Sequence, residues 1–519
     1  MSLSRETLRA ASIFMNDSRS NSTAGSQEAL AGDAGFSASA MPAERIGPQA
    51  LSHRDKRVIA ISTMLPVFLG SVDQSVLASA LPTIGRDLGQ VHNLPWLVTA
   101  FLIASTAFTP LYGKFADIHG RRAAMLIGVT IYVVGSLLCA ASPNMLTLIG
   151  GRAVQGCGAG GLVVTANMVL GDIASPKERG RYYTYFSIAF MTAGGSGPAL
   201  GGFIAEHLHW QMIFLWNLPL SLLAIVVALT VLRRLPQRER RHRLDVAGAI
   251  LVIAASSAFM LALNLGGIRY PWLSLPILVL LAGALVLGFG FVARLRTAAE
   301  PLIPIAVLAD PAARLAIAAH SFGWGAIISL NIFLPMYLQS ALGWSPSAAG
   351  LSLVILMVTL NSTAGLSSQL LGRVRRYKLL PLCFLFVGVD AVVALALSAE
   401  SMTTLRFEII LLLIGIGFGP TAPLTQVALQ NTVPARDLGA ALGTMNFTRT
   451  LIATIMIAIF GAIVLAHAPV GAPRGTLSQD FLGSASMATF AIVFLAIAAT
   501  LLLSFLALVR LEEKPLADR

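Results

Sequence analysis

The sequence predicts an all-α polytopic membrane protein, and three observations carry that expectation. Of the 519 residues, 56% are hydrophobic and only 12% are charged, about half the charged fraction of an ordinary water-facing domain. The apolar residues gather in runs of about 18 or more, the length that crosses roughly 30 Å of hydrocarbon. Inside lipid every backbone N–H and C=O must be bonded within the protein, which leaves helices or closed barrels. The runs lack the period-two alternation of barrel strands, so helices are expected.

Taken in order, residues 1–52 are polar, rich in Ser, Ala and Gly, and free of any sustained apolar run. They read as a disordered cytoplasmic tail with no signal peptide. After Arg54, Lys56 and Arg57 the apolar spans begin. The first, 58–82, carries Asp73, and the second, 95–114, runs into a basic loop. The third and fourth cover 122–142 and 144–171, the latter Gly-rich. The fifth and sixth, 181–205 and 210–232, complete a six-helix bundle over 53–235. The loop Arg233-Arg234 to Arg243 is the most basic and marks its end. Spans at 245–266 and 272–293 then form an inserted hairpin around Gly266-Gly267, within a segment 236–300. The last six spans, 314–340, 347–371, 379–398, 407–430, 439–467 and 482–509, make a second bundle over 301–510, before a tail at 511–519. Short linkers suit antiparallel neighbours.

The basic residues test this layout. Lys and Arg concentrate in alternate loops, whereas the opposite loops hold only Arg86, Arg269, Arg406 and Arg474. The positive-inside rule then places both termini in the cytoplasm and makes the number of spans even, here fourteen. The same distribution removes nucleic acid as the reason for the net charge of +12. Cys139, Cys157 and Cys383 all fall inside apolar runs and read as packing residues rather than disulfides or metal ligands.

Four motifs carry mechanism. Between spans two and three the chain reads Gly113-Lys-Phe-Ala-Asp117-Ile-His-Gly120-Arg121-Arg122. Two glycines permit tight turns, and Asp117 can pair with Arg121 or cap a helix. Span four carries Arg152-Ala-Val-Gln155-Gly156-Cys-Gly158, span five Gly194-Gly195-Ser-Gly197-Pro198-Ala-Leu-Gly201-Gly202, and span six opens Trp210-Gln-Met-Ile-Phe-Leu-Trp-Asn217-Leu-Pro219. At this spacing and in this order, the chain after residue 53 resembles the major facilitator superfamily, and within it the fourteen-helix drug:proton antiporter branch. The span-five motif resembles the one that marks antiporters rather than symporters. The Asp73-Gln-Ser75 segment resembles the first-helix motif of that branch. The second-half counterpart of the first loop, Gly372-Arg373-Val-Arg375-Arg376-Tyr-Lys378, departs by lacking an acidic residue.

The resemblance implies two bundles of six helices that rock about a midplane site. It implies a proton-coupled antiporter of the plasma (inner) membrane exporting small amphipathic compounds, as in multidrug efflux. Gating then falls to Gly113, Asp117, Gly120, Arg121 and Arg122, and to Gly197, Pro198, Gly201 and Gly202, for which ordinary helix packing is the alternative. The energy source is the proton gradient and no cofactor is implied. The partners are the small-molecule substrate, protons and the bilayer, and a periplasmic adaptor is not deducible.

Ionisable residues within spans are functional candidates because charge at mid-bilayer is costly. Asp73 lies roughly 22 Å along a helix from Val58, just beyond the middle, and Arg152 reaches a similar depth from the other side. Desolvation favours a neutral carboxyl and a nearby guanidinium the charged one, so the pair is poised for proton coupling. A permanent structural ion pair is the alternative. Asp390, in the middle of its span, is a candidate for a cationic substrate or a second proton, with Arg449 as a candidate partner. Candidate cavity-lining groups are Met64, Phe68, Gln74, Gln155, Asn331, Phe333, Tyr337, Gln339 and Asn361. The sequence has no Walker phosphate loop, no Gly-x-Ser-x-Gly and no His/Cys cluster with metal-ligand spacing, so it is not expected to be an enzyme or to bind a metal. An uptake symporter, an integral membrane enzyme and a transport-dead sensor are the rival readings.

Overall fold

A computed structural model describes residues 52–88, 93–235, 244–267, 269–340, 342–344, 346–371, 378–399, 402–434, 437–466 and 487–513. The expected tail at 1–52 lies almost wholly outside them, as do most of the basic loop 233–243 and of the second-half loop 372–378. Seventeen α-helices carry the described chain: α1 (His53–Leu88), α2 (Pro95–His119), α3 (Arg121–Ala140), α4 (Met145–Ile173), α5 (Pro176–His207), α6 (Met212–Leu215), α7 (Asn217–Thr230), α8 (Val246–Leu265), α9 (Leu275–Thr297), α10 (Ile305–Ala309), α11 (Pro311–Ser340), α12 (Pro346–Leu371), α13 (Leu379–Leu397), α14 (Thr404–Phe418), α15 (Thr421–Thr432), α16 (Leu438–Ala466) and α17 (Met487–Arg510). Thirteen crossings are long and apolar enough to span a membrane. The 32-residue α5, diluted by Gly and Ser, fills the place of the remaining expected one.

Local chemistry sets the helix ends. Asn144 caps α4 through the Thr147 N–H while Thr147 reaches back to the Asn144 N–H. Ser175 and Glu178 make the same reciprocal box at α5, which starts that helix at Pro176, earlier than its apolar run at 181 suggested. Gly120, at φ +88°, turns the chain between α2 and α3, a conformation that disfavours any side chain. Two expected spans are interrupted. The sixth breaks at Trp216 into α6 and α7, and the twelfth at Gly419-Pro420 into α14 and α15. Cys139 is buried as expected, but Cys383 is exposed on α13.

The small residues of α4 decide the packing of the first bundle. A methyl group at Gly156 or Gly160 would strike the α2 backbone at Phe101 or Ser105, and one at Gly158 would strike α3 at Tyr132. With no side chain in the way, α4 lies directly against both neighbours. Its most apolar window is 72% buried, against 17% for that of α9, so α4 is a central helix and α9 a peripheral one. The hairpin α8–α9 is tied by Asp245, which caps Gly248 and accepts from Arg294 Nε at 2.9 Å. In the second half, α11 packs against α16 and α17 around Phe333, Tyr337, Phe460, Phe490 and Phe494.

Candidate functional site

Five helices of the first half contribute to a buried polar network around Asp73. α1 supplies the carboxylate, fully buried apart from 1% of its surface. α4 supplies Arg152, whose Nη1 donates to Asp73 Oδ2 at 2.6 Å, and Gln155, whose Nε2 donates to Oδ1 at 3.0 Å. These two side chains lie three residues apart, so they project from one face of the helix. Asn217, at the start of α7, donates to Oδ1 at 2.8 Å. Arg152 is held in turn by the Leu97 carbonyl of α2 at 3.0 Å and by Gln155 Oε1 at 2.6 Å, and its guanidinium lies 4.3 Å from the Phe101 ring centre. Gln155 also donates to Ser136 of α3 at 2.9 Å. A carboxylate that accepts three hydrogen bonds, one from an arginine, is satisfied in its charged form. The network is not closed: Arg152 Nη2 is buried without a hydrogen-bond partner, and the buried Tyr132 hydroxyl stands beside Asp73 and Gln155.

α5 meets the same stretch of α1. Gly197 sits against Ser75, where any β-carbon on the glycine would overlap the serine Cβ. The glycine of the span-five motif therefore touches α1 two residues from Asp73. Gly194 and Gly195 have open space before them, and Gly201 is buried. The side-chain surroundings of Pro198 and Gly202 fall outside the described residues.

A second constellation joins the halves at the end of the bundle where α2 turns into α3. Asp117 Oδ1 accepts from Arg121 at 2.6 Å and from the Gly439 N–H at 3.1 Å, while Oδ2 accepts from the Ala440 N–H at 2.9 Å. Those two amides open α16, so the carboxylate of one half caps a helix of the other. Arg121 also binds Asp172, at the end of α4, at 2.9 Å. Gly113 lies backbone to backbone with Gly439, with no room for a β-carbon on either. At the same end Gln430 donates to the Tyr183 hydroxyl at 2.7 Å, and Thr184 donates to the Gly365 carbonyl at 3.2 Å. The halves are thus fastened together at this end. Arg122 stands beside the latch, its buried Nε unpartnered, lining a cavity of about 200 Å³ with Asp172 and Leu232.

The remaining candidates do not assemble into one site. Gln155 belongs to the Asp73 network rather than to a substrate pocket. Gln74 is exposed on the side of α1 away from it. Met64 and Phe68 line a groove between α1, α5 and α7 with Tyr185 and Leu223. Tyr337 is a core residue, its hydroxyl bonded to the Ala399 carbonyl at 2.7 Å and its ring edge-on to Phe494. Phe333 packs on Phe460 and borders an apolar cavity of about 190 Å³ among α2, α8, α11 and α16. Asn331 and Asn361 bond carbonyls one turn back in their own helices, and Gln339 is partly buried near the end of α11. Asp390 corrects the sequence reading outright. It is exposed on an outer stripe of α13 with Phe386 and Leu397, not in a central cleft, and Arg449 instead stacks on Trp324.

The comparisons agree with this architecture. The family model for the Major Facilitator Superfamily matches residues 63–458. The chain belongs to the major facilitator superfamily. A transporter of that superfamily from Mycobacterium tuberculosis is 31% identical over 420 residues, which are 81% of this chain and 61% of the relative. This chain therefore spans less than two thirds of that relative's length. The multidrug transporter protein MdtP of Bacillus subtilis is 29% identical over 80% of this chain and 76% of its own. A solved structure of the proton:xylose symporter XylE has a TM-score of 0.64 at 14% identity, covering 89% of this chain and 98% of that one, and shows the shared fold. The protein is a multi-pass helical membrane protein of this superfamily.

Sequence reasoning missed Ser136, Asn217, Tyr132 and Phe101 as members of the Asp73 cluster. Asn217 lay in a motif already noted, and its place at the start of the sixth span, level with Asp73, was the available signal. The other three had none, being ordinary members of apolar helices.

Proposed function

We propose that this transporter is a proton-coupled antiporter that exports small amphipathic compounds by alternating access. Its membrane is the plasma (inner) membrane, both termini are cytoplasmic, and the proton gradient supplies the energy. The observation that carries the reading is the buried Asp73 carboxylate, held by Arg152, Gln155 and Asn217 beside the Gly197 contact. A proton added to Asp73 removes its charge, weakens the pair with Arg152 and turns one carboxylate oxygen into a donor. The hydrogen bonds that Arg152 and Asn217 direct at that carboxylate must then rearrange. Because Gly197 packs on Ser75, two residues along α1 from Asp73, rearrangement there changes how α5 seats against α1. α5 is also fastened to the second half at Thr184 and Tyr183. Protonation and the opening of the latch end are thereby linked through one helix.

In this scheme the described state is closed at the cytoplasmic end, where Asp117 caps α16. The name of the multidrug relative MdtP supports transport of chemically varied small compounds. The test is dye transport in inside-out vesicles with an imposed inward-acidic gradient. Wild-type protein concentrates an amphipathic dye until nigericin collapses the gradient, and Asp73→Asn does not. Gradient-driven accumulation by Asp73→Asn at the wild-type rate would refute the proposal.

A further inference from the structure

Arg449 is a charge the proton-coupling cluster does not use. It lies eleven residues into α16, about 16 Å along the helix at 1.5 Å per residue, close to mid-membrane depth. Its guanidinium stacks 4.6 Å from the Trp324 ring centre on α11. Among the described residues no carboxylate pairs with it, and its buried Nε has no hydrogen-bond partner. The second-half helices packed on α16, namely α11, α15 and α17, contain no acidic residue, and Asp117 of the first-half helix α2 is committed to Arg121 and to the start of α16. Arg152 in the first half is balanced by Asp73, whereas nothing balances Arg449.

A guanidinium has five N–H donors and stays charged under all physiological conditions. A cation–π contact offsets only part of the cost of holding such a charge at this depth, and it satisfies none of the five donors. The side chains of Arg449 and Trp324 are both partly exposed rather than sealed in the core. A second polar atom without a partner, Nε2 of the buried His320, lies one turn from Trp324 on α11. Nδ1 of the same ring is committed to Thr425 at 2.9 Å.

We infer that Arg449, held in place by Trp324, binds the anionic group of the exported compound, so that the substrates are amphipathic organic anions such as carboxylates. This rests on the transporter reading but not on proton coupling. A planar carboxylate suits the fork of the guanidinium, and it supplies the negative charge that no described residue brings to Arg449.

The test is calorimetric titration of the full-length protein in lipid nanodiscs with three probes of one shape: 1-naphthoate, 1-naphthylmethanol and 1-naphthylmethylammonium. Naphthoate is expected to bind at least about tenfold more tightly than either of the others. Arg449→Gln is expected to abolish that preference and Arg449→Lys to retain part of it. A melting temperature measured for each variant shows that it is folded. Failure of naphthoate to bind wild type, equal or tighter binding of the alcohol or the amine, or an unchanged preference in folded Arg449→Gln each overturns the inference. If proton-driven transport survives in Asp73→Asn while the anion preference depends on Arg449, the coupling scheme fails and this assignment stands.

Discussion

Asp73 and Arg152 are worth more as a pair than either is alone. Both side chains are fully buried, so removing one leaves the other charged and out of water, a change that costs about 3–5 kcal/mol when a buried pair is broken. Asp73→Asn or Arg152→Gln alone is therefore expected to lower the melting temperature markedly. The double variant should lose much less than the two single losses combined, and thermal melts of all four proteins in detergent check this. Additive losses would mean that the two residues do not act on each other. The pairing was legible in the sequence because helical rise alone put both residues at one depth. Asp390 was misread for the complementary reason: α13 is apolar on every side, so nothing in its pattern says which face turns inward. Only packing shows that its stripe with Phe386 and Leu397 faces out.

Between helices, the same reasoning applies to the latch and to the α1–α5 contact. Asp117 holds two amides of α16 and pairs with Arg121. Asp117→Asn keeps the shape and loses the charge, so it should weaken the fastened state by about 1–2 kcal/mol. Hydrogen–deuterium exchange across residues 438–445 is expected to speed up roughly tenfold in this variant, since about 1.4 kcal/mol shifts a two-state population tenfold. Gly113→Ala, which forces a methyl into the Gly439 carbonyl, should speed exchange at the same residues. Unchanged exchange in both variants would remove the latch. Near the start of α5, burial pushes the Glu178 carboxyl up, but the Lys56 hydrogen bond, the Ser175 N–H and the Lys56 charge outweigh it and hold the group below its ordinary value. A depressed carboxyl stabilises the fold above its unfolded pKa, and that contribution is lost as pH falls through the folded value. The pair is partly exposed, so its share is small, below about 1 kcal/mol. Melts below about pH 5 should therefore decline slightly less steeply in Glu178→Gln than in wild type. The Gly113–Asp117–Arg121 motif was recognisable in the sequence, but its partner on α16 was not. Backbone amides at a helix start carry no residue-specific signal.

At the scale of the whole molecule, composition and loop charge were enough to predict the helical crossings and their order. Apolar length is a local property that survives without tertiary information. Which end of the bundle is fastened was not readable, because one sequence serves both the open and the closed arrangement and only packing distinguishes them. The account of exchange depends on Asp73 carrying the proton. The most direct measurement is proton movement in sealed proteoliposomes when an outward dye gradient is imposed without a pH gradient. Wild type is expected to move protons against the dye, whereas Asp73→Asn should still exchange labelled for unlabelled dye while moving none. Proton movement by Asp73→Asn at the wild-type rate would contradict the account.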